Sequence, residues 1–177
     1  MMRRYGRYEG VLRAATLALV LASTGCAGLS NLAQIIQPPR FQQADNQPAE
    51  IRIMPPSANS PIGGAGVRIW LAVTNPNSFG FTLSTVSATL LLEGNRAATG
   101  DFPLGLPLTA GQRTVVPLDL SISFSDLPGL SGTLRQLAVG GTVGYQLDGT
   151  VGIDAGRLGT PTFGPMLLTR GDLRAVR

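Results

Sequence analysis

From Val67 onward, apolar and polar residues alternate with a period of two, in short runs separated by Gly, Pro, Asn and Ser. That is the pattern of strands with one buried face. Val67, Ile69, Leu71 and Val73 share one face, with Arg68, Ala72 and Thr74 opposite and Trp70 among them. Val86, Ala88, Leu90 and Leu92 repeat the pattern. Glu93-Gly94-Asn95-Arg96 then predicts a tight hairpin in which Gly and Asn take positive φ. A third strand carries Val116, Leu118, Leu120, Ile122 and Phe124 against Val115, Pro117, Asp119, Ser121 and Ser123. Pro117 has no N–H to give a neighbour, which puts this strand at an edge or a bulge. The clearest alternation is TVGYQLDGTVGI, with Val143, Tyr145, Leu147, Val151 and Ile153 inward and Gln146, Asp148 and Thr150 outward. Shorter candidates run from Glu50 to Met54, Arg96 to Phe102 and Gly164 to Arg170.

One segment changes period. In SDLPGLSGTLRQLAVGG, Leu127, Leu130, Leu134 and Leu137 fall at helical spacing on one face. Ser125 or Asp126 is the candidate cap and Gly140-Gly141 the candidate end. The expected architecture is all-β: an immunoglobulin- or fibronectin-III-like antiparallel β-sandwich of about seven strands, with one short inserted helix over an open end. Leu130, Leu134 and Leu137 form the candidate apolar binding face.

The N-terminal part follows another logic. MMRRYGRYEGVLR is basic and precedes the apolar run AATLALVLAS, which is of signal-peptide length and too short to cross a bilayer. Ser23-Thr24-Gly25-Cys26 comes next, and Cys26 is the sole cysteine of the chain. A lone cysteine in an exported chain makes no internal disulfide. The stretch resembles the lipobox of bacterial lipoproteins, in which the cysteine is acylated and becomes the new N-terminus. Thr24 and Gly25 fit, and Ser23 replaces the usual aliphatic residue. The alternative is ordinary cleavage nearby, with Cys26 an incidental thiol. Arg3-Arg4 resembles a twin-arginine signal without its apolar pair. The organisation read from this is a lipoprotein signal peptide at 1–25, a polar tether at 26–48 and a β-domain at 49–177. It implies an exported protein held at a membrane by its acyl anchor, on the periplasmic face of the outer membrane if the host has one, since Ala27 is not an aspartate.

VRIWLAVTNPNSFGFTLSTVSATLLLEGNRAATGDF resembles the WHy domain of the late embryogenesis abundant type-2 family. Its mark is an apolar strand, then Asn-Pro-Asn, then a strand ending in a hairpin; here the triplet is Asn75, Pro76 and Asn77. The later Leu-rich helix, GYQLDGTVGI and TPTFGPMLLTRGDL resemble the second half of that family, so the likeness covers about residues 49 to 173. The resemblance implies a folded sandwich with a helix, a link to drying or other stress, and no enzymatic activity. Turn chemistry accounts for the triplet without a ligand. Pro76 stops strand pairing, Asn75 forms an Asx-turn and Asn77 tolerates left-handed backbone. A structural corner is therefore set against a ligand role for the asparagines.

Charge and residue chemistry narrow the function. The net charge is +4, but residues 1–25 carry four Arg against Glu9, which leaves +1 for the remainder, too little for a basic nucleic-acid surface. The chain has no histidine, which removes imidazole catalysis and the usual zinc sites. Asp119, Asp126, Asp148, Asp154 and Asp172 sit at turns or outward positions, and Gly63-Gly64 and Gly140-Gly141 match no phosphate loop. Trp70 is set between sheet cover and binding surface. No cofactor or metal and no catalytic residue is expected. The first functional reading is a monomeric, non-catalytic envelope protein of the water-stress type that protects membrane or protein surfaces. The second is a module binding a lipid or a partner envelope protein.

Overall fold

A computed structural model describes residues 36–58, 61–124, 132–133, 136 and 140–176. Residues Pro38–Arg177 form one compact unit. Its described residues contain eight strands: β1 (Arg40–Gln43), β2 (Ala49–Met54), β3 (Gly64–Thr74), β4 (Phe81–Leu92), β5 (Asn95–Leu108), β6 (Arg113–Ser123), β7 (Thr142–Asp154) and β8 (Thr162–Ala175). They join into one open sheet in the order β1-β3-β2-β8-β7-β4-β5, with β6 on the other edge of β3. β1 and β2 share one edge of β3, pairing with Leu71 to Thr74 and with Gly64 to Arg68 respectively. β6 runs the full length of the opposite edge, from Gly64↔Ser123 to Thr74↔Arg113. Every pairing is antiparallel except β2 with β8, which is parallel from Ala49↔Leu173 to Ile51↔Ala175. The parallel pair departs from the expected antiparallel arrangement, while the eight strands meet the expected number of about seven.

The sheet bends so that its apolar face is enclosed. β5 and β6, the outermost strands, meet: a Cβ on Gly100 would stand 3.3 Å from Leu120 Cδ2. β1 approaches β8 in the same way. The inward rows are those the period-two pattern predicts. Val67, Ile69, Leu71 and Val73 of β3 are buried, as are Val86, Ala88, Leu90 and Leu92 of β4. So are Val116, Leu118, Leu120 and Ile122 of β6, and Val143, Tyr145, Leu147, Val151 and Ile153 of β7. Pro117 lies on β6, paired with Trp70 of β3, so the residue without an N–H sits on an outermost strand.

Three local features differ from the expectation. β1 lies within the stretch 26–48 read as a tether, so the sheet begins before residue 49. RFQQ has no apolar row of its own, and its extended state comes from the free edge of β3. β5 runs on to Leu108 through Pro103, Gly105 (φ 56) and Pro107, and β8 starts at Thr162 ahead of Gly164-Pro165. Proline and positive-φ glycine are tolerated there because β5 has a strand neighbour on one side only. In the β4–β5 hairpin the two left-handed residues are Glu93 (φ 47) and Gly94 (φ 78), not Asn95. Glu93 holds this conformation while its carboxylate accepts the Gly144 N–H at 2.7 Å and its own N–H reaches the Gly144 carbonyl at 3.1 Å.

The helix read between β6 and β7 falls largely outside the described residues, including Leu127, Leu130, Leu134 and Leu137. Gly132, Thr133 and Gln136 are helical. Gln136 links this segment to the start of β7: its carbonyl accepts the Gly141 N–H at 2.9 Å and its amide donates to the Thr142 carbonyl at 2.8 Å. The signal segment and Cys26 also lie outside the described residues.

Candidate functional site

The Asn-Pro-Asn triplet follows directly on β3. Pro76 cannot donate to a ladder, so pairing ends and the chain turns towards β4. Asn75 still continues the β3–β6 register for one residue, its N–H donating to the Gln112 carbonyl (2.9 Å) and its carbonyl accepting the Gly111 N–H (3.1 Å). Its side chain has 0% exposure. The carboxamide oxygen accepts the backbone N–H of Asn77 at 2.9 Å, an Asx-turn, and the Asn77 side-chain amide at 3.0 Å. The Nδ2 group donates to the carbonyls of Phe79 (2.8 Å), Thr109 (3.0 Å) and Leu108 (3.3 Å). Two protons thus serve three acceptors, and one side chain ties the β3–β4 turn to the β5–β6 turn. The second turn is braced in turn by Gln112, whose Oε1 accepts the Thr109 N–H at 2.8 Å and the Thr109 hydroxyl at 3.0 Å. Asn77 is 6% exposed and is not among the residues with positive φ, so the left-handed role expected of it is not used.

The carboxylates singled out in the sequence do not converge. Asp119 takes Arg68 in a two-pronged pair at 2.6 and 3.0 Å across β3 and β6. Asp148 accepts from the Gln146 amide at 3.0 and 2.8 Å. Asp154 accepts the Gly156 N–H at 2.8 Å at the start of a 3-10 turn. Asp172 lies near the end of β8, and Asp126 is outside the described residues. Among the described residues no three His, Cys, Asp or Glu side chains gather in metal-binding distance. Trp70 is half-buried on the outer face of β3, with the Arg68 guanidinium 5.8 Å from its ring centroid. It covers the sheet beside the Arg68–Asp119 pair.

The grooves of the described residues open at the surface. One of about 260 Å³ lies between β2, β3 and β6 beside Arg68 and Asp119. One of about 410 Å³ runs from Gly80 and Leu108, next to the Asn75 corner, to Asp154. A third, of about 510 Å³, lies between the β1–β2 turn and the end of β8.

Sequence reasoning missed one polar group in the core. Tyr145 is 4% exposed and its hydroxyl oxygen is buried without a hydrogen-bond partner. The Thr169 side chain lies near enough to favour the ionised phenol as a hydrogen-bonding neighbour, but the contact falls short of the distance and angles of a full hydrogen bond. Burial raises the Tyr145 phenol above its ordinary value; Thr169 opposes this and the Asp172 charge adds to it. A raised folded pKa means a contribution fully present below the unfolded value of about 10 and lost as pH rises through the folded one. Tyr145→Phe is therefore expected to leave neutral-pH stability within about 1 kcal/mol of the parent, or to raise it, because no hydrogen bond is lost. It should also remove part of the fall in stability above about pH 10. Urea unfolding of both proteins at neutral and alkaline pH checks this.

Among curated proteins none matches the chain. Solved structures do. The solution structure of an Arabidopsis thaliana protein superposes with a TM-score of 0.51 at 19% identity, over 80% of this chain and 81% of that one. The solution structure of a protein described as late embryogenesis abundant gives a TM-score of 0.51 at 17% identity, over 98% and 94%. At these identities the likeness is one of fold. The type-2 family described as late embryogenesis abundant protein matches residues 71–166, from within β3 to within β8. That match takes in more than half of the chain, the Asn75-Pro76-Asn77 corner included, and the chain belongs to the late embryogenesis abundant type-2 family.

Proposed function

We propose that this protein is a non-catalytic, lipid-anchored envelope protein of the water-stress type, which protects membrane or protein surfaces as a folded body. The observation that carries this reading is the matched segment itself. Residues 71–166 of a late embryogenesis abundant chain are built here into a sheet with a closed apolar row on one face and polar residues on the other. A body of that kind acts by contact and spacing near a surface, where loss of water brings membranes and proteins together. The anchor is the diacylated Cys26, which follows an apolar signal segment. Ala27 in place of aspartate favours the outer membrane where the host has one. The bent sheet is read as a sandwich of the immunoglobulin or fibronectin-III kind. The Asn75 corner is structural, its polar atoms being turned inward onto backbone groups. The domain works as a monomer.

Deleting the gene should lower survival after drying or osmotic shock and leave growth in wet, rich medium unchanged. Equal survival of deletion and parent across drying, salt and cold would contradict the stress role and favour a lipid- or partner-binding module. Cys26→Ala should release the protein from the membrane fraction or block its processing. Unchanged retention and unchanged gel mobility would contradict the anchor.

A further inference from the structure

Among the described residues four prolines lie inside strands: Pro103 and Pro107 of β5, Pro117 of β6 and Pro165 of β8. β3, β4 and β7, which have strands on both sides, contain none. β5 pairs with β4 alone and β6 with β3 alone, so each leaves one edge without a strand among the described residues. β8 meets β2 only from Leu173 to Ala175, which leaves Pro165 on an unpaired stretch as well. The hydrogen bonds at the two ends of β6 show which way Pro117 points. The Gln112 carbonyl accepts the Asn75 N–H (2.9 Å) before the strand, and the Phe124 N–H donates to the Gly63 carbonyl (3.3 Å) after it. The register between them is unbroken, from Thr74↔Arg113 to Gly64↔Ser123. Backbone groups alternate in direction along a strand, so the even-numbered residues of β6 turn theirs to β3 and the odd-numbered ones to the free edge. Pro117 is therefore a missing donor in the middle of that edge. Pro103 and Pro107 hold register with Thr85 and Thr82, and a proline in a paired strand keeps its ring nitrogen on the unpaired side. Between them Gly105, at φ 56, sits at a shift of register, a bulge.

We propose that Pro103, Pro107, Pro117 and the Gly105 bulge block strand-to-strand pairing with a second copy of this chain, so that the β-body stays separate when it is concentrated. An unpaired edge is a template for another strand, and its guards are charge, proline, a bulge or a cover. Lysine, the charged residue most used for this, is absent from the chain. The two charged side chains of β6 are engaged within the molecule, Asp119 with Arg68 and Arg113 with Asp45. That leaves proline as the guard. On β6 it splits the edge-facing residues into a run of Arg113 and Val115 and a run of Asp119, Ser121 and Ser123. On β5 the interruptions follow one another at 103, 105 and 107. All three prolines are exposed, so an approaching strand meets the missing N–H groups directly. This inference rests on the sheet itself and does not depend on the stress role or on the anchor.

The test compares the full chain with the variant Pro103→Thr/Pro107→Thr/Pro117→Thr by sedimentation velocity and amide hydrogen exchange at rising protein concentration. Threonine restores the N–H, suits a strand and adds no large apolar surface, so the association it brings runs through the backbone. In the parent, the Val115, Asp119 and Ser121 amides should exchange at the same rate at every concentration. The variant should associate at a concentration at least tenfold lower than the parent, and those three amides should slow as it does. Pro117→Thr alone should slow them too, and it replaces the triple variant if circular dichroism shows that the latter does not fold at dilution. Pro55→Thr with Pro56→Thr, in the loop after β2, should behave like the parent. A folded variant that stays as dispersed as the parent would overturn the proposal. Association that leaves the three amides as fast as before would overturn it as well, and so would a parent whose own edge amides slow with concentration.

Discussion

Replacing Asn75 by aspartate is expected to cost the domain about 3 to 5 kcal/mol at neutral pH, the cost of an unpaired buried charge. The substitution changes one atom and no volume, so packing plays little part. What changes is that Nδ2, which gives its protons to the carbonyls of Phe79, Leu108 and Thr109, becomes an oxygen facing those same carbonyls. The site has 0% exposure, so water cannot compensate. An aspartate there keeps its proton to well above the unfolded value of about 3.9. The charge part of the penalty is therefore absent below that value, where only the loss of one donor remains, and it grows as pH rises through the gap to the folded pKa. The difference between parent and variant should be smallest near pH 4 and widest at neutral pH. Asn75→Ala should also destabilise, leaving the Asn77 N–H and three carbonyls short of a partner, but without that pH dependence. Urea unfolding of the three proteins across this range gives the comparison. An aspartate variant as stable as the parent at neutral pH would contradict the saturated-corner account.

Leu147→Ala is expected to cost about 2 to 5 kcal/mol, by lost apolar transfer and by the cavity left behind. Leu147 is the centre of the inward row of β7, with Leu90 of β4 on one side, Thr169 of β8 on the other, and 0% exposure. With strands on both sides, the backbone has little freedom to collapse into the space. Val115→Ala is the control. Val115 points outward from β6 with 43% exposure, and truncation there should change stability by less than about 0.5 kcal/mol. Against a total of about 5 to 15 kcal/mol for a domain, the first change removes a large share and the second almost none. The reverse order in denaturant midpoints would mean that the inward face of β7 has been misassigned.

Those two residues show what the sequence carries and what it does not. The strands with a strict inward row, β3, β4, β6 and β7, are legible because each buries one face along its whole length, and alternation records that directly. β1 is not legible, since RFQQ borrows its strand state from the edge of β3. The extensions of β5 and β8 are hidden by Pro103, Pro107 and Pro165, which mark breaks in a chain read locally but are admissible on a strand with an unpaired edge. The Asx-turn at Asn75 is local and follows from the triplet. Its bonds to Leu108 and Thr109 bridge 33 and 34 residues and follow from the fold. Asn77 was expected to supply left-handed backbone, whereas Glu93 supplies it at another turn because Gly144 lies opposite. The unpartnered Tyr145 hydroxyl has no local signal, because the pattern marks Tyr145 as inward without recording what lies opposite its oxygen.

The central claim is that this chain acts in the dry state as the folded β-body it is in water. Far-ultraviolet circular dichroism of the chain, followed continuously through controlled dehydration on a surface and back, tests it most directly. The account predicts a sheet signal that persists through drying and returns unchanged on rehydration, with no gain of helix. Loss of the sheet signal on drying, or its replacement by a helical one, would contradict it.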